Sequence, residues 1–283
     1  MGSIELIERD GDLVVTASGE RRAMSLVCVL DTETTSREDD REPIEVALLQ
    51  LPQGHDLLGP NPDVIPKTFW PPHLIFAGKL KPSKPSTFGS MAVHHILPDE
   101  LEHCPPSSSF KLPPDVAYII GHSIDFDHVA IGSPNVKRIC TYAMAQTIWP
   151  QADSHSQSAL LYMLLGATPQ TRDLLRNAHS AVTDAINNVR LLEKILEARP
   201  EIHTWSALYA FSEEARIPSV MPMGRNKGAL IAELESGEIE WYLDRSFIDQ
   251  YLRKAFENEL VRRGAPVMES SNDDSDPDDD APY

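Results

Sequence analysis

Short apolar runs set the frame of the chain. Residues 26–30 (LVCVL) and 116–120 (VAYII) are continuous apolar stretches, too short for a core helix, and they predict strands buried on both faces. Residues 44–51 (IEVALLQL), 73–80 (HLIFAGKL) and 136–140 (VKRIC) predict three more. Helical patterns fall at 91–96, 98–101, 141–149 and 156–165. The longest covers 180–198, where Val182, Ala185, Ile186, Val189, Leu192, Ile195 and Leu196 recur at spacings of three and four and define one apolar face. Pro200 stops it. Residues 53–72 are rich in Pro and Gly, without a period, and predict a long loop. The order is three strands, helix, strand, helix, strand, helices. That order predicts a mixed α/β layer and not a doubly wound sheet.

The same pattern divides the chain. Residues 1–24 form an N-terminal extension with one weak strand at 13–15, and residues 25–200 form the main domain. Residues 201–264 form a small C-terminal accessory domain, with turns at 221–224 and 227–228 and helical patterns at 231–234 and 247–260. Residues 265–283 are acidic and rich in Ser, Pro and Asp, so a disordered acidic tail is expected.

Charge changes the picture more than overall composition does. The 283 residues carry a formal net charge of -18, yet residues 269–283 hold seven acids and no base, so without them the figure falls to -11. A chain this acidic is no passive binder of polyanions, and any nucleic-acid contact has to be local and metal-assisted. No apolar run approaches the roughly 18 to 20 residues that span a bilayer, and the polar start lacks the pattern of a signal peptide. No membrane partner and a cytoplasmic setting are therefore expected. Cys28, Cys104 and Cys140 are far apart, with no CxxC, which points away from a zinc ribbon or a disulfide framework.

Acidic residues gather at the ends of the predicted strands. Asp31-Thr32-Glu33 follows the strand at 26–30 directly, and side chains two apart on a strand share a face. Two carboxylates there repel unless a cation lies between them, and hard oxygen ligands suit Mg²⁺ or Mn²⁺. Gly121-His122-Ser123-Ile124-Asp125-Phe126-Asp127 follows the strand at 116–120, and either aspartate could instead cap the next helix. His179 precedes Asp184 by five residues, about 140° on a helix, so the two would not share a face if both were helical. His179 is therefore expected on the loop before the helix, with Ser180 as cap. Asp184 interrupts an apolar stripe, a costly place for a carboxylate unless it is paired or holds a metal.

Asp31, Glu33, Asp127, His179 and Asp184, in that order and each at the edge of an element, resemble the DnaQ-like DEDDh 3′–5′ exonuclease family of the ribonuclease H-like fold. The residues that carry the resemblance are VLDTETT at 29–35, GHSIDFD at 121–127 and AHSAVTD at 178–184. MAVHHI at 91–96, RICTYAMAQTIWP at 138–150 and MPMGRNKG at 221–228 resemble the exodeoxyribonuclease X branch of it, and the likeness covers roughly residues 25–255. It implies a mixed five-stranded sheet flanked by helices, with residues 25–200 as the exonuclease domain.

The resemblance also implies a chemistry. Two Mg²⁺ ions about 4 Å apart, with Mn²⁺ as substitute, would activate water and stabilise the leaving oxygen. Asp31, Glu33 and Asp184 would hold the ion that binds the attacking water. Asp31 would bridge to the second ion and Asp127 would support it, partly through water. His179 would be the general base. Thr34 would meet the terminal nucleotide, and His94 or His95 would line its pocket. The substrate would be DNA 3′ ends, single-stranded for preference, with a polymerase or a repair or replication protein as a possible partner. Two other readings stay open: an exoribonuclease of the same fold, and a non-catalytic nucleic-acid-binding or polymerase-associated subunit. Trp149 and Trp205 are expected in the core. Trp241 and Tyr242, near Arg225 and Lys227, are either core aromatics, the better expectation for Trp241, or a stacking platform for single strands.

Overall fold

The apolar runs pair much as their pattern predicts. A computed structural model describes residues 4–9, 12–17, 25–57, 59–176 and 179–264. Strands β1 (Ile4–Arg9) and β2 (Asp12–Ala17) pair antiparallel, with Ile4 opposite Ala17, so the segment expected to hold one weak strand holds a hairpin pair. There follow β3 (Leu26–Thr34), β4 (Pro43–Gln50), the two-residue strands β5 (His55–Asp56) and β6 (Gly59–Pro60), and β7 (His73–Lys79). Helices α1 (Phe88–His94) and α2 (Pro98–Leu101) lead to β8 (Val116–Gly121), α3 (Ile124–Ala130) and β9 (Lys137–Cys140). Then come α4 (Thr141–Ile148), α5 (Gln157–Leu165), α6 (Pro169–Leu175), α7 (Ala181–Ala198), α8 (Trp205–Ala215), α9 (Ser236–Leu243) and α10 (Gln250–Arg262).

The main sheet has the order β7-β4-β3-β8-β9. β4 runs antiparallel to both of its neighbours, whereas β3, β8 and β9 are mutually parallel. This is an α/β fold with a mixed five-stranded sheet flanked by helices, as expected. Val29, Leu30, Leu48, Ile119, Ile120 and Ile139 are fully buried, as strands covered on both faces require. Helix α7 packs across β3 and β4. Its buried face includes Ala185, Val189, Leu192 and Ile195 from the predicted stripe and also Asn187, Asn188 and Leu191, whereas Val182, Ile186 and Leu196 are only partly covered.

Boundaries differ where side chains cap helices. α1 starts earlier than the expected 91–96 because the Thr87 hydroxyl accepts from the Ser90 amide, and it ends at His95, which turns left-handed at φ 56°. Only a single 3₁₀ turn, Ile231–Glu233, forms where 231–234 was expected to be helical. α10 begins where the Asp249 carboxylate accepts from the amides of Tyr251 and Leu252. Helices α3, α6, α8 and α9 were not among the periodic segments.

The chain divides between Glu213 and Glu214 into two compact units. Residues 201–213, expected in the second, fall in the first. There Trp205 is buried, stacks on Phe69 with centroids 5.8 Å apart, and donates its amide to the Asp63 carbonyl at 2.8 Å. The second unit has its own core of Met221, Ile231, Leu234, Ile239, Leu252 and Phe256. Tyr242 joins it, stacked on Phe256 at 5.4 Å. Trp241 does not, against the expectation: it is 49% exposed, with the Arg245 guanidinium 4.5 Å from its ring centre. Arg225 is held by Glu238 at 2.6 Å. All three cysteines are unpaired, and Cys28 and Cys140 are buried. Among the described residues no helix is long and apolar enough to cross a membrane. The expected acidic tail at 265–283 lies outside the described residues.

Leu48 is fully buried in the centre of the sheet. Leu48→Ala is expected to cost about 2–5 kcal/mol, read as a lower midpoint of urea denaturation at unchanged slope. A loss below about 0.5 kcal/mol, the range of surface substitutions, would contradict the placement of this strand.

Candidate active site

Strand pairing places the first two acids. β3 continues past Leu30 because its antiparallel ladder with β4 runs on, Asp31 opposite Ala47 and Glu33 opposite Glu45. Its parallel ladder with β8 ends earlier, at Val29 opposite Ile120. Asp31 and Glu33 therefore lie on one face of β3, beyond the point where β8 leaves it. There β8 turns into α3 at Gly121, where a Cβ would come 2.7 Å from Ile124 Cδ1 and 3.1 Å from the Leu30 carbonyl oxygen. That close approach is what glycine allows. Ser123 completes the turn in the left-handed region, at φ 71°.

The turn delivers Asp127. It caps no helix: its carboxylate reaches back to β3, where Oδ1 accepts from the Thr32 amide at 2.9 Å and the Thr32 hydroxyl at 2.7 Å. Asp127 is buried. Asp125 pairs instead with Arg138 at 2.5 Å. His122 is locked into the scaffold. Its Nε2 lies 2.8 Å from the His155 carbonyl and therefore donates, and its Nδ1 is 3.1 Å from the Thr141 hydroxyl. Burial pushes its pKa down to about 4, so it stays neutral.

Asp184 comes from the first turn of α7. Oxygens of Asp31, Glu33 and Asp184 lie within 4.8 Å of one another. His179 is on the preceding loop, as its spacing predicts, and turns left-handed at φ 73°. Its amide donates to Asp184 Oδ2 at 2.8 Å, while the residue itself is exposed. Ser180 occupies the cap position but makes no side-chain cap bond. Glu45 supplies one from β4: its Oε2 accepts from the Ala181 amide at 2.9 Å. Asp127 and the His179 side chain fall outside the three-carboxylate cluster.

These acids resist ionisation. Burial first, then the charges of Asp127, Asp184, Glu33 and Glu45, push Asp31 well above the ordinary carboxylate range. Glu33 is pushed up to about 8 by burial, then by Asp184, Glu45 and Asp127. Asp127 rises to about 7 through burial, against the two Thr32 hydrogen bonds. Asp184 is raised by burial, opposed chiefly by the His179 amide bond. Among the described residues no lysine or arginine forms an ion pair with Asp31, Glu33 or Asp184. Converging hard oxygen donors with uncompensated negative charge fit a divalent cation such as Mg²⁺.

An open cleft of about 580 Å³ adjoins Glu33 and is lined by Thr34, Arg37, Ser90, His94 and Phe126 among others. The Thr34 hydroxyl is committed to the Ser36 carbonyl at 2.8 Å, so this residue offers its body to the cleft and not its hydroxyl proton. His94 is buried, and its Nδ1 accepts from the Ile96 amide at 2.9 Å. The proton therefore sits on Nε2, which has no partner. The Arg41 guanidinium stacks on the Phe126 ring at 4.2 Å.

Sequence reasoning missed Glu45, Arg41 and Phe126. The available signal for Glu45 was a lone acid inside the apolar strand IEVALLQL. Phe126 stood between Asp125 and Asp127, and Arg41 in a charged loop offered no signal.

No protein-family model matches the sequence, and no curated protein matches it. Among solved structures the chain is similar to exonuclease X in complex with 5′-overhanging duplex DNA, at 20% identity and a TM-score of 0.47, over 66% of this chain and 99% of that one. It is also similar to the zinc-ion-bound form of an E. coli ExoI–ssDNA complex, at 14% identity and a TM-score of 0.45, over 86% of this chain and 68% of that one. An ExoI/SSB-Ct complex gives 14% identity and a TM-score of 0.47, over 81% of this chain and 61% of that one. All three identities are below 25%, and all three TM-scores are below 0.5.

Glu33 holds its proton up to about pH 8 in the fold, against 4.5 for a free glutamate. Between those values the native state binds more protons than the unfolded state, so stability falls as pH rises. The favourable contribution is complete below about pH 4.5 and gone above about pH 8. In EDTA the urea midpoint is expected to fall between pH 5 and pH 9, and Glu33→Gln to flatten that slope. A flat profile in the wild type would count against the raised acid. Separately, Ser123→Asn is expected to raise the melting temperature, because asparagine tolerates the left-handed region better than serine does. A drop in melting temperature would contradict this.

Proposed function

We propose that the chain is a metal-dependent 3′–5′ exodeoxyribonuclease that releases nucleoside 5′-monophosphates from DNA 3′ ends. It would be an enzyme of the DnaQ-like DEDDh kind, of the exodeoxyribonuclease X type. One observation carries the reading: the carboxylates of Asp31, Glu33 and Asp184 converge within 4.8 Å at one end of the sheet, beside a cleft.

Asp31, Glu33 and Asp184 are the residues that would hold one Mg²⁺ or Mn²⁺. Asp31 would be shared with a second ion, and Asp127 would support that ion in part through water. A divalent cation there supplies charge that offsets the phosphate and lowers the pKa of bound water.

The remaining work falls to the chain itself. His179 takes a proton from the water that attacks the terminal phosphodiester; its exposed position leaves it free to pass that proton to solvent. The bond from water oxygen to phosphorus forms, and the bond to the 3′ oxygen of the penultimate nucleotide breaks. That oxygen leaves as a hydroxyl once protonated. Phe126, backed by Arg41, offers an aromatic wall for the terminal base. His94 Nε2–H is a buried donor with no partner at the cleft, suited to an acceptor on the terminal nucleotide. Thr34 packs beside it. The chain from residue 25 to the division at Glu213 would form the exonuclease domain, and the chain from Glu214 to 264 an accessory domain.

The test uses 3′-labelled single-stranded DNA, duplex DNA and RNA, each with Mg²⁺ or with EDTA. Stepwise 3′ loss from DNA that EDTA stops is expected. Preferential decay of RNA would overturn the DNA assignment, and activity retained by Asp31→Ala would overturn the metal site. His179→Ala is expected to lose at least ~100-fold in rate. An unchanged pH–rate profile in that variant would reject the histidine as base.

A further inference from the structure

Glu45 has no role in the reaction as described, yet it sits among the residues that do. It faces Glu33 directly across the β3–β4 ladder. Like charges placed opposite each other on antiparallel strands destabilise the pair. Its charge also adds to the pressure on Asp31, Glu33 and Asp184. A glutamate in so unfavourable a place needs a compensating bond, and the structure contains one: Oε2 accepts from the Ala181 amide at 2.9 Å.

Ala181 is the first residue of α7, and the first amides of a helix have no partner within it. The residue at the cap position, Ser180, leaves them uncapped by its side chain. A carboxylate from the neighbouring strand therefore takes over, favoured by the positive end of the helix dipole. The segment it holds is short. His179 is two residues before Ala181, Asp184 is three after it, and the His179 amide is already bonded to Asp184 Oδ2. Fixing Ala181 to β4 thus fixes both the base and the third carboxylate relative to Asp31 and Glu33.

We propose that Glu45 is a positioning residue, which clamps the first turn of α7 to the sheet and so holds Asp184 and the His179 loop in register with Asp31 and Glu33. This rests on the nuclease reading for its kinetic consequence, but not for the clamp itself. What matters is the acceptor oxygen and not the charge: glutamine has the same reach and keeps a carbonyl oxygen, whereas alanine has neither. The partner can be removed as well. Proline is well tolerated at the first position of a helix, where no helical bond needs the amide hydrogen; its ring adds volume at the fully buried Ala181, so the double variant, and not the single one, isolates the bond. Ser180, at φ -121° and ψ 127°, already has the extended backbone that a residue before proline adopts.

Hydrogen exchange and kinetics test it together, on the full chain. In metal-free protein, exchange across 179–185 is expected to quicken at least tenfold in Glu45→Ala, to remain near wild type in Glu45→Gln, and to leave α10 unchanged. With metal and an oligonucleotide, Glu45→Ala is expected to lose about 10- to 100-fold in kcat, as supporting residues around metal ligands do. KM should stay within about threefold, and Glu45→Gln should recover most of the rate. Ala181→Pro should reproduce the kinetic loss, and combining it with Glu45→Ala should add little. Wild-type exchange in Glu45→Ala would refute the clamp. Equal damage from alanine and glutamine would mean that charge is what counts, and quickened exchange with undiminished kcat would reduce the clamp to a structural one; either result overturns the positioning role. A wild type with no nuclease activity would refute the functional reading, while the exchange result would still decide whether the clamp exists.

Discussion

Mutual repulsion among half-buried carboxylates is the constraint around which this protein is organised. Asp31, Glu33, Asp184 and Glu45 bear on one another at one end of a sheet whose interior is apolar. Such a cluster spreads apart unless the backbone beneath it cannot yield. Strand β3 is that backbone. It is central in the sheet, paired on both sides, and buried from Val27 to Leu30.

The two helices that complete the site are attached by polar bonds and not by packing alone. α3 is tied to β3 by the Asp127–Thr32 pair of hydrogen bonds. α7 is tied to β4 through Glu45, and its preceding loop is tied to itself through Asp184. The Thr141 hydroxyl lies 3.1 Å from Nδ1 of neutral His122 and 2.8 Å from the Asn188 side-chain oxygen, and so links the end of β8 to the middle of α7. Each bond satisfies a group that burial would otherwise penalise. The polar residues therefore do two things at once. They neutralise their own desolvation, and they set distances between carboxylates.

The distribution of charge has the same logic. A net charge of -18 would repel a polyanion over most of the surface. Under the proposed reading, attraction would arise where the converging acids hold cations. The neighbouring cleft adds an aromatic ring with a cation stacked on it, and a histidine whose Nε2 has no partner.

Much of the site was legible in the sequence because it depends on local periods. Asp31 and Glu33 share a face because a strand repeats every two residues. His179 had to leave the helix because five residues do not return to one face. The buried strands declared themselves as continuous apolar runs. What the sequence did not declare depends on register and packing. Glu45 became part of the site only through the pairing that set it opposite Glu33, and a slip of one residue would have turned it to the other face. Trp241 and Tyr242 are neighbours of similar character on one helix, and only the core of the second unit decided that the tyrosine goes in and the tryptophan stays half out. Asp127 read equally well as a helix cap until the turn at Gly121 and Ser123 aimed it back at β3. Local periodicity thus determined which acids share a face and which residue precedes the helix. Long-range pairing decided which neighbours hold them in place, because no short stretch of sequence encodes the partner that an amide will meet across a sheet.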